Sequence, residues 1–448
     1  MFEMIESIPV FGNGLLVVVA MVIVLGTVVS IHEYGHYIVG RWCGIDADVF
    51  SIGFGKVIYS RYDKRGTKWQ VAAIPLGGYV KFRGDLDAAS TQGKENLANL
   101  SPEDAARSFP TAPLYKRALT VMAGPVFNFI LSIVIFTGLG LYSGQAVDDM
   151  TLGKVIAPKG TQYEIREGDK IIAVDGVEMN SFLEMAEWAA NAEANKNTIY
   201  TVERDNDIID VTGPFPAPAY AAAIMPVSAA SSSDLRAGDF IVSLANQEVN
   251  SFRQLVEVVK TVGEGEIPIT VLRDGERMTV PIRPREQVYE NADGEIETRI
   301  LLGISGGNAF EPAIVPVGFG KALSNGVSRT WSVISGSIRG IKLMFQGAIS
   351  PKNLQGPVGI AHMSSDVAKS GWISLIALIG IISTAIGFLN LMPLPVLDGG
   401  HLVQFAYQAV VGKPMNERVV RYATVVSLSL LLTLMLYSTS NDLVRWFQ

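Results

Sequence analysis

Two clusters of residues in this 448-residue chain could do chemistry. The first is His32-Glu33-Tyr34-Gly35-His36, at the end of a long apolar run. On a helix, the i,i+4 spacing brings both imidazoles to one face, where they can grip a single Zn2+. Glu33, beside the first histidine, is placed to act as general base on water at that metal. A catalytic zinc site with three protein ligands needs one more residue and keeps its fourth position for water. The second cluster can supply that ligand: Asn390-Leu391-Met392-Pro393-Leu394-Pro395-Val396-Leu397-Asp398-Gly399-Gly400-His401. Its two prolines break a helix and free backbone groups, which is tolerable at membrane depth only beside protein or a wet cavity. Asp398 emerges from the break. His401 competes for the ligand role, and a hydrogen-bonded supporting role suits it as well. A plainer interpretation is two core histidines with a solvated glutamate. Ionisable groups inside a membrane helix are expensive and usually functional, however, and two of the four histidines stand here. His362 is expected to be a bystander.

The elements that must position these clusters are apolar. Leu15 to Ile31 (resuming at Tyr37-Ile38-Val39), Leu119 to Tyr142, Trp372 to Met392 and Val419 to Tyr437 each approach or exceed the roughly 20 residues needed to cross a bilayer core. The first run follows two acids, Glu3 and Glu6, and no Lys or Arg, so it is expected to be a retained span rather than a cleaved signal. Basic residues crowd the 41–117 segment and recur at Lys413, Arg418 and Arg421. Positive-inside logic then places 41–117 and 393–418 in the cytoplasm, with both termini and 144–370 outside. Phe319, Leu323, Val327, Trp331, Ile334, Ile338, Ile341 and Phe345 recur at helical spacing among Lys321, Arg329, Arg339 and Lys342. Charges along its whole length predict an amphipathic, interfacial helix rather than a fifth span. With four spans, Asp398 and the histidine pair fall in the same leaflet. With five they would lie about 30 Å apart.

The external segment repeats itself. Gly168-Asp169-Lys170-Ile171-Ile172 returns as Gly238-Asp239-Phe240-Ile241-Val242, and Asn180-Ser181-Phe182 as Asn250-Ser251-Phe252. Thr201-Val202-Glu203-Arg204-Asp205 returns as Thr270-Val271-Leu272-Arg273-Asp274. Each unit predicts strand, turn, short helix and a strand pair hinged at Arg-Asp-Asn or Arg-Asp-Gly. The pattern resembles bacterial PDZ domains. At the start of the units, the only candidates for a peptide-carboxylate loop are Leu152-Gly153 and Ala221-Ala222-Ala223-Ile224. Such units act either as spacers and size filters, the expectation preferred here, or as readers of peptide C-termini.

His-Glu-x-x-His in a first membrane helix, with Asn-x-x-Pro-x-Pro-x-Leu-Asp-Gly ending a later one, resembles the site-2 protease family of intramembrane zinc metalloproteases. The likeness extends to the four-span layout with two external PDZ units, to Gly124-Pro125-x-x-Asn128 in the second span, and to Gly356-Pro357-Val358-Gly359-Ile360-Ala361 before the third. It implies His32, His36 and Asp398 as zinc ligands, Glu33 as base and Asn390 as a binder of substrate backbone. It also implies a bacterial inner-membrane protease that cuts single-span substrates, such as an anti-sigma factor or remnant signal peptides, in regulated intramembrane proteolysis.

The expected architecture is an α-helical membrane protein. Its first span lies in 1–41, a cytoplasmic and re-entrant β region in 42–117, and a second span in 118–143. PDZ-like α+β domains follow in 144–215 and 216–308, then an amphipathic helix and linker in 309–370. The third span occupies 371–400, a cytoplasmic loop 401–418, and the fourth span with a tail 419–448. Val57–Tyr62 and Lys68–Ile74 predict a hairpin, followed by Gly77 and Gly78, whose small size lets another backbone approach. An edge strand here is expected to pair with an unwound substrate, because a helix hides its carbonyls from water. Composition excludes much else. Hydrophobic residues are 49% and charged residues 18%, too apolar for a disordered chain, and a net charge of −7 leaves no basic footprint for nucleic acid. The single cysteine, Cys43, cannot form an intrachain disulfide. A metal or proton transporter is the first alternative, though the only repeat is external, and a non-catalytic PDZ scaffold is the second.

Overall fold

The computed structural model describes residues 12–84, 101–147, 149–194, 198–225, 228–263, 265–290, 296–348 and 356–447. Glu3, Glu6 and Lys94, which enter the charge argument, lie outside the described residues. The chain divides into two compact units, one built from the residues up to Leu139 and from Phe319 on, the other Gly140–Gly318.

The first unit begins with α1 (Gly12–Trp42). Leu16, Ala20, Val24 and Val28 are fully buried along it, and His32 continues the same four-residue row. Such i±4 rows form the ridge by which helices pack, so the histidine pair extends a packing ridge toward the bundle. Two long strands follow, β1 (Ala47–Tyr62) and β2 (Lys68–Phe82). They pair antiparallel and fold back on themselves: Phe50 lies opposite both Trp69 and Val80, and Ser60 opposite Gln70. The result is a curled sheet in which the start of β1 is flanked on both sides by β2. Phe50, Val80, Phe82, Phe109 and Val121 bury together with Tyr37 of α1, and each fully buried side chain of this size contributes about 1.5–3 kcal/mol. Arg83, just past β2, bridges Asp46, Asp48 and Asp104 at 3.1, 3.2 and 2.6 Å. That ties the short α2 (Pro102–Ala106) to the sheet. The next helix is α3 (Leu114–Ser143), which runs unbroken through Pro125.

The second unit holds the repeat. It opens with β3 (Gln145–Ala146) and β4 (Leu152–Val155). The first four-stranded sheet comprises β5 (Lys170–Val174), β6 (Val177–Glu178), β7 (Thr198–Arg204) and β8 (Asp207–Gly213), in spatial order β6-β5-β7-β8 with α4 (Phe182–Asn191) between. After β9 (Ala221–Ile224) the same order returns in β10 (Phe240–Leu244), β11 (Gln247–Glu248), α5 (Phe252–Thr261), β12 (Ile267–Arg273) and β13 (Glu276–Ile282). The local chemistry repeats as well. Ser181 and Ser251 cap α4 and α5 by accepting the N–H of Glu184 and Gln254, whose side chains reach back to the N–H of Asn180 and Asn250. The exchange is a variant of the capping box, closed on the residue before the N-cap. The Arg-Asp hinges turn through positive φ at Asp205 and Asn206, and at Asp274 and Gly275, the twist that suits a two-residue hairpin.

The predicted boundaries of the repeats need correction. Past β14 (Arg285–Glu290) and β15 (Ile296–Leu301), β16 (Ile304–Gly306) pairs with β9. The next strand, β17 (Phe310–Pro312), pairs with β4, and β18 (Ile314–Val315) with β3. Phe310 and Ala309 bury in the first repeat's core with Met185 and Tyr200. Residues assigned to a linker from 309 onward therefore complete the first repeat. The candidate loops Leu152-Gly153 and Ala221–Ile224 are strands partnered by this returning segment. Nothing local in the sequence signals partners so far along the chain.

The chain re-enters the first unit through α6 (Phe319–Phe345), the amphipathic helix that the spacing predicts. It turns its small residues Ala322, Gly326 and Thr330 inward. A Cβ on Gly326 would come within 3.0 Å of the Ile133 carbonyl of α3. Phe319, Trp331 and Phe345 stay exposed, as small residues permit the close packing typical of membrane helices. The rest of the expected linker includes α7 (Pro357–Lys369), which packs with the first half of α1. Its N-terminal amides of Gly356 and Gly359 donate to Asp442. The last helices are α8 (Trp372–Asn390), α9 (Asp398–Val411) and α10 (Glu417–Phe447). The expected cytoplasmic loop at 401–418 is largely α9. Four helices are long and apolar enough to cross a membrane, α1, α3, α8 and α10. The four predicted runs fall on them.

Candidate metal centre

Four helices and one sheet edge build the site. The α1 ridge ends in His32 and His36, whose rings stand edge to face with centroids 4.8 Å apart. Facing them, α3 carries its own four-residue row, Thr120, Gly124, Asn128 and Ser132, all buried. Gly124 lies where the imidazoles need room: a Cβ there would overlap His36 Nε2 and come within 2.9 Å of His32 Cε1. The third helix, α8, stops at Asn390. Through Pro393 and Pro395 the chain turns back on itself, with the Leu397 N–H donating to the Leu394 carbonyl. Asp398 then opens α9, as its first residue.

That turn brings Asp398 onto the histidine pair. Its Oδ2 lies 3.2 Å from His32 Nε2 and 3.5 Å from His36 Nε2, and the two Nε2 atoms are 3.2 Å apart. The three side chains are only 9%, 12% and 18% exposed. The His36 ring is oriented from behind, its Nδ1–H donating to the Thr120 carbonyl at 2.9 Å. This fixes a proton on Nδ1 and turns Nε2 toward Asp398. Asp398 Oδ2 is buried and has no hydrogen bond in the structure. Electron-pair donors converging without protons between them repel one another unless a cation sits among them. Two imidazole nitrogens and a carboxylate form a donor set suited to zinc, and they leave a fourth position open. Among the described residues this is the one group of three metal-binding side chains. His401, one turn along α9, stands outside this group. His362 lies on α7, away from the group.

Glu33 faces the curled sheet. Its carboxylate accepts the Val80 backbone N–H, and a Cβ on Gly78 would come within 3.1 Å of its Cγ. The close approach predicted at Gly77 and Gly78 is thus filled from within the chain. A Cβ on Gly77 would overlap the Phe54 ring, and Gly78 pairs with Ile52. Asn390 extends Nδ2 to 3.3 Å from His32 Nε2, so the amide expected to bind substrate stands at the mouth of the same cluster. Sequence reasoning assigned no role to Thr120, Gly124 or Asn128. The available signal was a four-residue row of small and polar side chains inside an apolar span, where each polar group needs a partner.

The chain was compared with known proteins. The model of peptidase family M50 matches residues 20–434. A candidate zinc metalloprotease of Agrobacterium fabrum is 33% identical over 428 residues, covering 95% of each chain. A candidate zinc metalloprotease of Ralstonia nicotianae is 31% identical over 470 aligned positions, covering 97% of this chain and 99% of the relative. The metalloprotease MmpA of Caulobacter vibrioides is 30% identical and covers 96% of each. With the family match running through α1, α3, α8 and α9, and relatives aligned over nearly their full length, the chain belongs to peptidase family M50.

Proposed function

We propose that this protein is a zinc-dependent intramembrane endopeptidase of the site-2 type, hydrolysing peptide bonds in or near the membrane segment of single-span proteins. The observation that carries the proposal is the convergence of His32 Nε2, His36 Nε2 and Asp398 Oδ2, with Glu33 one residue from the first ligand. These three side chains would hold the zinc. Once bound, zinc supplies Lewis acidity, polarising a carbonyl and making water acidic at a pH of about 7. Glu33 takes the proton released from the attacking water and delivers it to the departing amine. Asn390 binds substrate backbone beside the cluster. The outer backbone edge beside Gly77 and Gly78 holds the scissile segment extended, by adding it as a strand, while the faces of the two glycines stay packed on Phe54 and Glu33. Because this edge runs alongside Glu33, an extended segment on it lies within reach of the base.

The protein lies in a bacterial inner membrane with lipid around its four spans, and both termini and the repeats face the periplasm. The charge asymmetry of the loops supports this orientation. The repeats serve as PDZ-like filters that admit substrates already trimmed outside. Anti-sigma factors and remnant signal peptides are the substrate classes that the family resemblance favours. A transporter would bind the metal without peptide hydrolysis and a passive scaffold would do neither, so a zinc assay paired with a cleavage assay separates all three readings. Purified protein with bound zinc is expected to cut a single-span reporter in detergent or vesicles. Glu33→Gln should retain zinc and lower cleavage by about 10²- to 10⁴-fold, the usual contribution of a general base. Undiminished cleavage by that variant would overturn the assignment.

A further inference from the structure

His32 and His36 are oriented differently, and the difference singles out a residue on α3. His36 is held by a backbone carbonyl, Thr120 O, which can only accept. His32 is held by a side-chain amide: Asn128 places Nδ2 3.2 Å from His32 Nδ1. Asn128 is fully buried, and its Oδ1 is without a hydrogen bond. A neutral imidazole carries one proton. If His32 Nε2 is to offer its lone pair, the proton must sit on Nδ1 and needs an acceptor. A half-turn of the Asn128 amide puts Oδ1 against Nδ1–H. The opposite orientation would force the proton onto Nε2, which faces His36 and Asp398. The Asn128 backbone is pinned as well. Its carbonyl accepts hydroxyls from Ser132 at 3.0 Å and from Ser383 of α8 at 2.9 Å. Asn128 therefore joins the helix of the histidines to the helix that leads into Asp398.

We infer that Asn128 is a positioning residue: its amide oxygen holds His32 in the Nδ1–H tautomer and so readies Nε2 as a metal ligand. The inference rests on His32 being a ligand, as proposed above. Supporting groups of this kind typically change metal affinity 10- to 100-fold.

The test measures zinc affinity of the purified full-length protein by chelator competition, apart from activity. Asn128→Leu, close in volume but without an acceptor, should weaken zinc binding by about 10- to 100-fold. Asn128→Asp, which can only accept, should stay within about threefold of the parent, since the bond to Nδ1–H is kept. A packing role would make the buried carboxylate at least as harmful as leucine. With only four histidines in the chain, ring 15N shifts of the zinc-free protein, assigned with His32→Gln, report the tautomer directly. Nδ1–H should predominate in the parent and be lost in Asn128→Leu. Parent-like affinity in Asn128→Leu, or equal loss in both Asn128 variants, would overturn the inference. His32→Ala identifies a failure of the underlying reading, because zinc retained there would show that His32 is no ligand at all.

Discussion

Buried carboxylates occur in both units of the molecule, and they are treated in opposite ways. In the repeats, Asp169 and Asp239 are each 1% exposed and fully partnered. Arg204 forks onto Asp169 at 2.6 and 2.7 Å, and Arg273 onto Asp239 at 2.7 and 2.6 Å. The N–H groups of Arg166 and Arg236 add a third bond to each, at 2.9 Å. In the helical unit, Asp398 Oδ2 is buried against two imidazoles with no donor. A satisfied buried ion pair specifies a fold. An unsatisfied carboxylate among lone pairs costs stability and is retained for what it can bind. Sequence spacing alone would rank all three aspartates alike, as acids beside glycines.

Replacing Asp398 with Ala should break this contrast most sharply. Zinc content and reporter cleavage should both fall to background, while the thermal midpoint of the zinc-free protein stays close to that of the zinc-free parent, because no guanidinium or backbone N–H is left without its acceptor. A zinc-free variant that melts well below the zinc-free parent would place Asp398 with the structural pairs. Asp169→Asn leaves the Arg204 guanidinium half-served. It should destabilise the first repeat by about 3–5 kcal/mol, read as lost hydrogen-exchange protection in β5 and β7, with zinc content unchanged.

Acid should sharpen the comparison further. Burial pushes the Asp169 carboxyl up, but the Arg204 fork, the Arg166 N–H and the two arginine charges together hold it below the ordinary carboxylate value. A depressed folded pKa means that the stabilisation is complete above the unfolded value of about 3.9 and is lost as pH falls through the lowered folded one. Protection of β5 and β7 should therefore drop below about pH 4 in the parent, and the part due to this residue should be missing from Asp169→Asn at every pH. The smallest expected effect is at the caps. Ser181→Ala and Ser251→Ala should each cost about 1 kcal/mol, confined to exchange at the first turn of α4 or α5. Equal responses would show the two repeats to be energetically as well as geometrically alike.

Elements whose information is local were legible. The four apolar helices, α6, the hairpin and both repeat helices follow from periodicity, since each must satisfy its backbone within itself or with a near neighbour. The Arg-Asp hinges were visible for the same reason. Three misreadings share one cause. The strands that close the repeats, the packing of α7 on α1 and the helix at Asp398–Val411 depend on surfaces supplied from elsewhere in the chain. Phe310 looks like linker until Tyr200 covers it. Gly77 and Gly78 look open until Phe54 and Ile52 meet them.

By itself the sequence determined which atoms could hold a cation: two imidazoles four residues apart on an obligatory helix, and an acid released by two prolines. Helical pitch and the loss of proline's N–H dictate those features wherever the chain goes. Only the tertiary structure brought Asp398 onto the histidine pair, set the glycine of α3 against the imidazoles and brought Asn128 to His32. These depend on where separate helices cross, and a crossing is chosen by the packing of whole faces against one another.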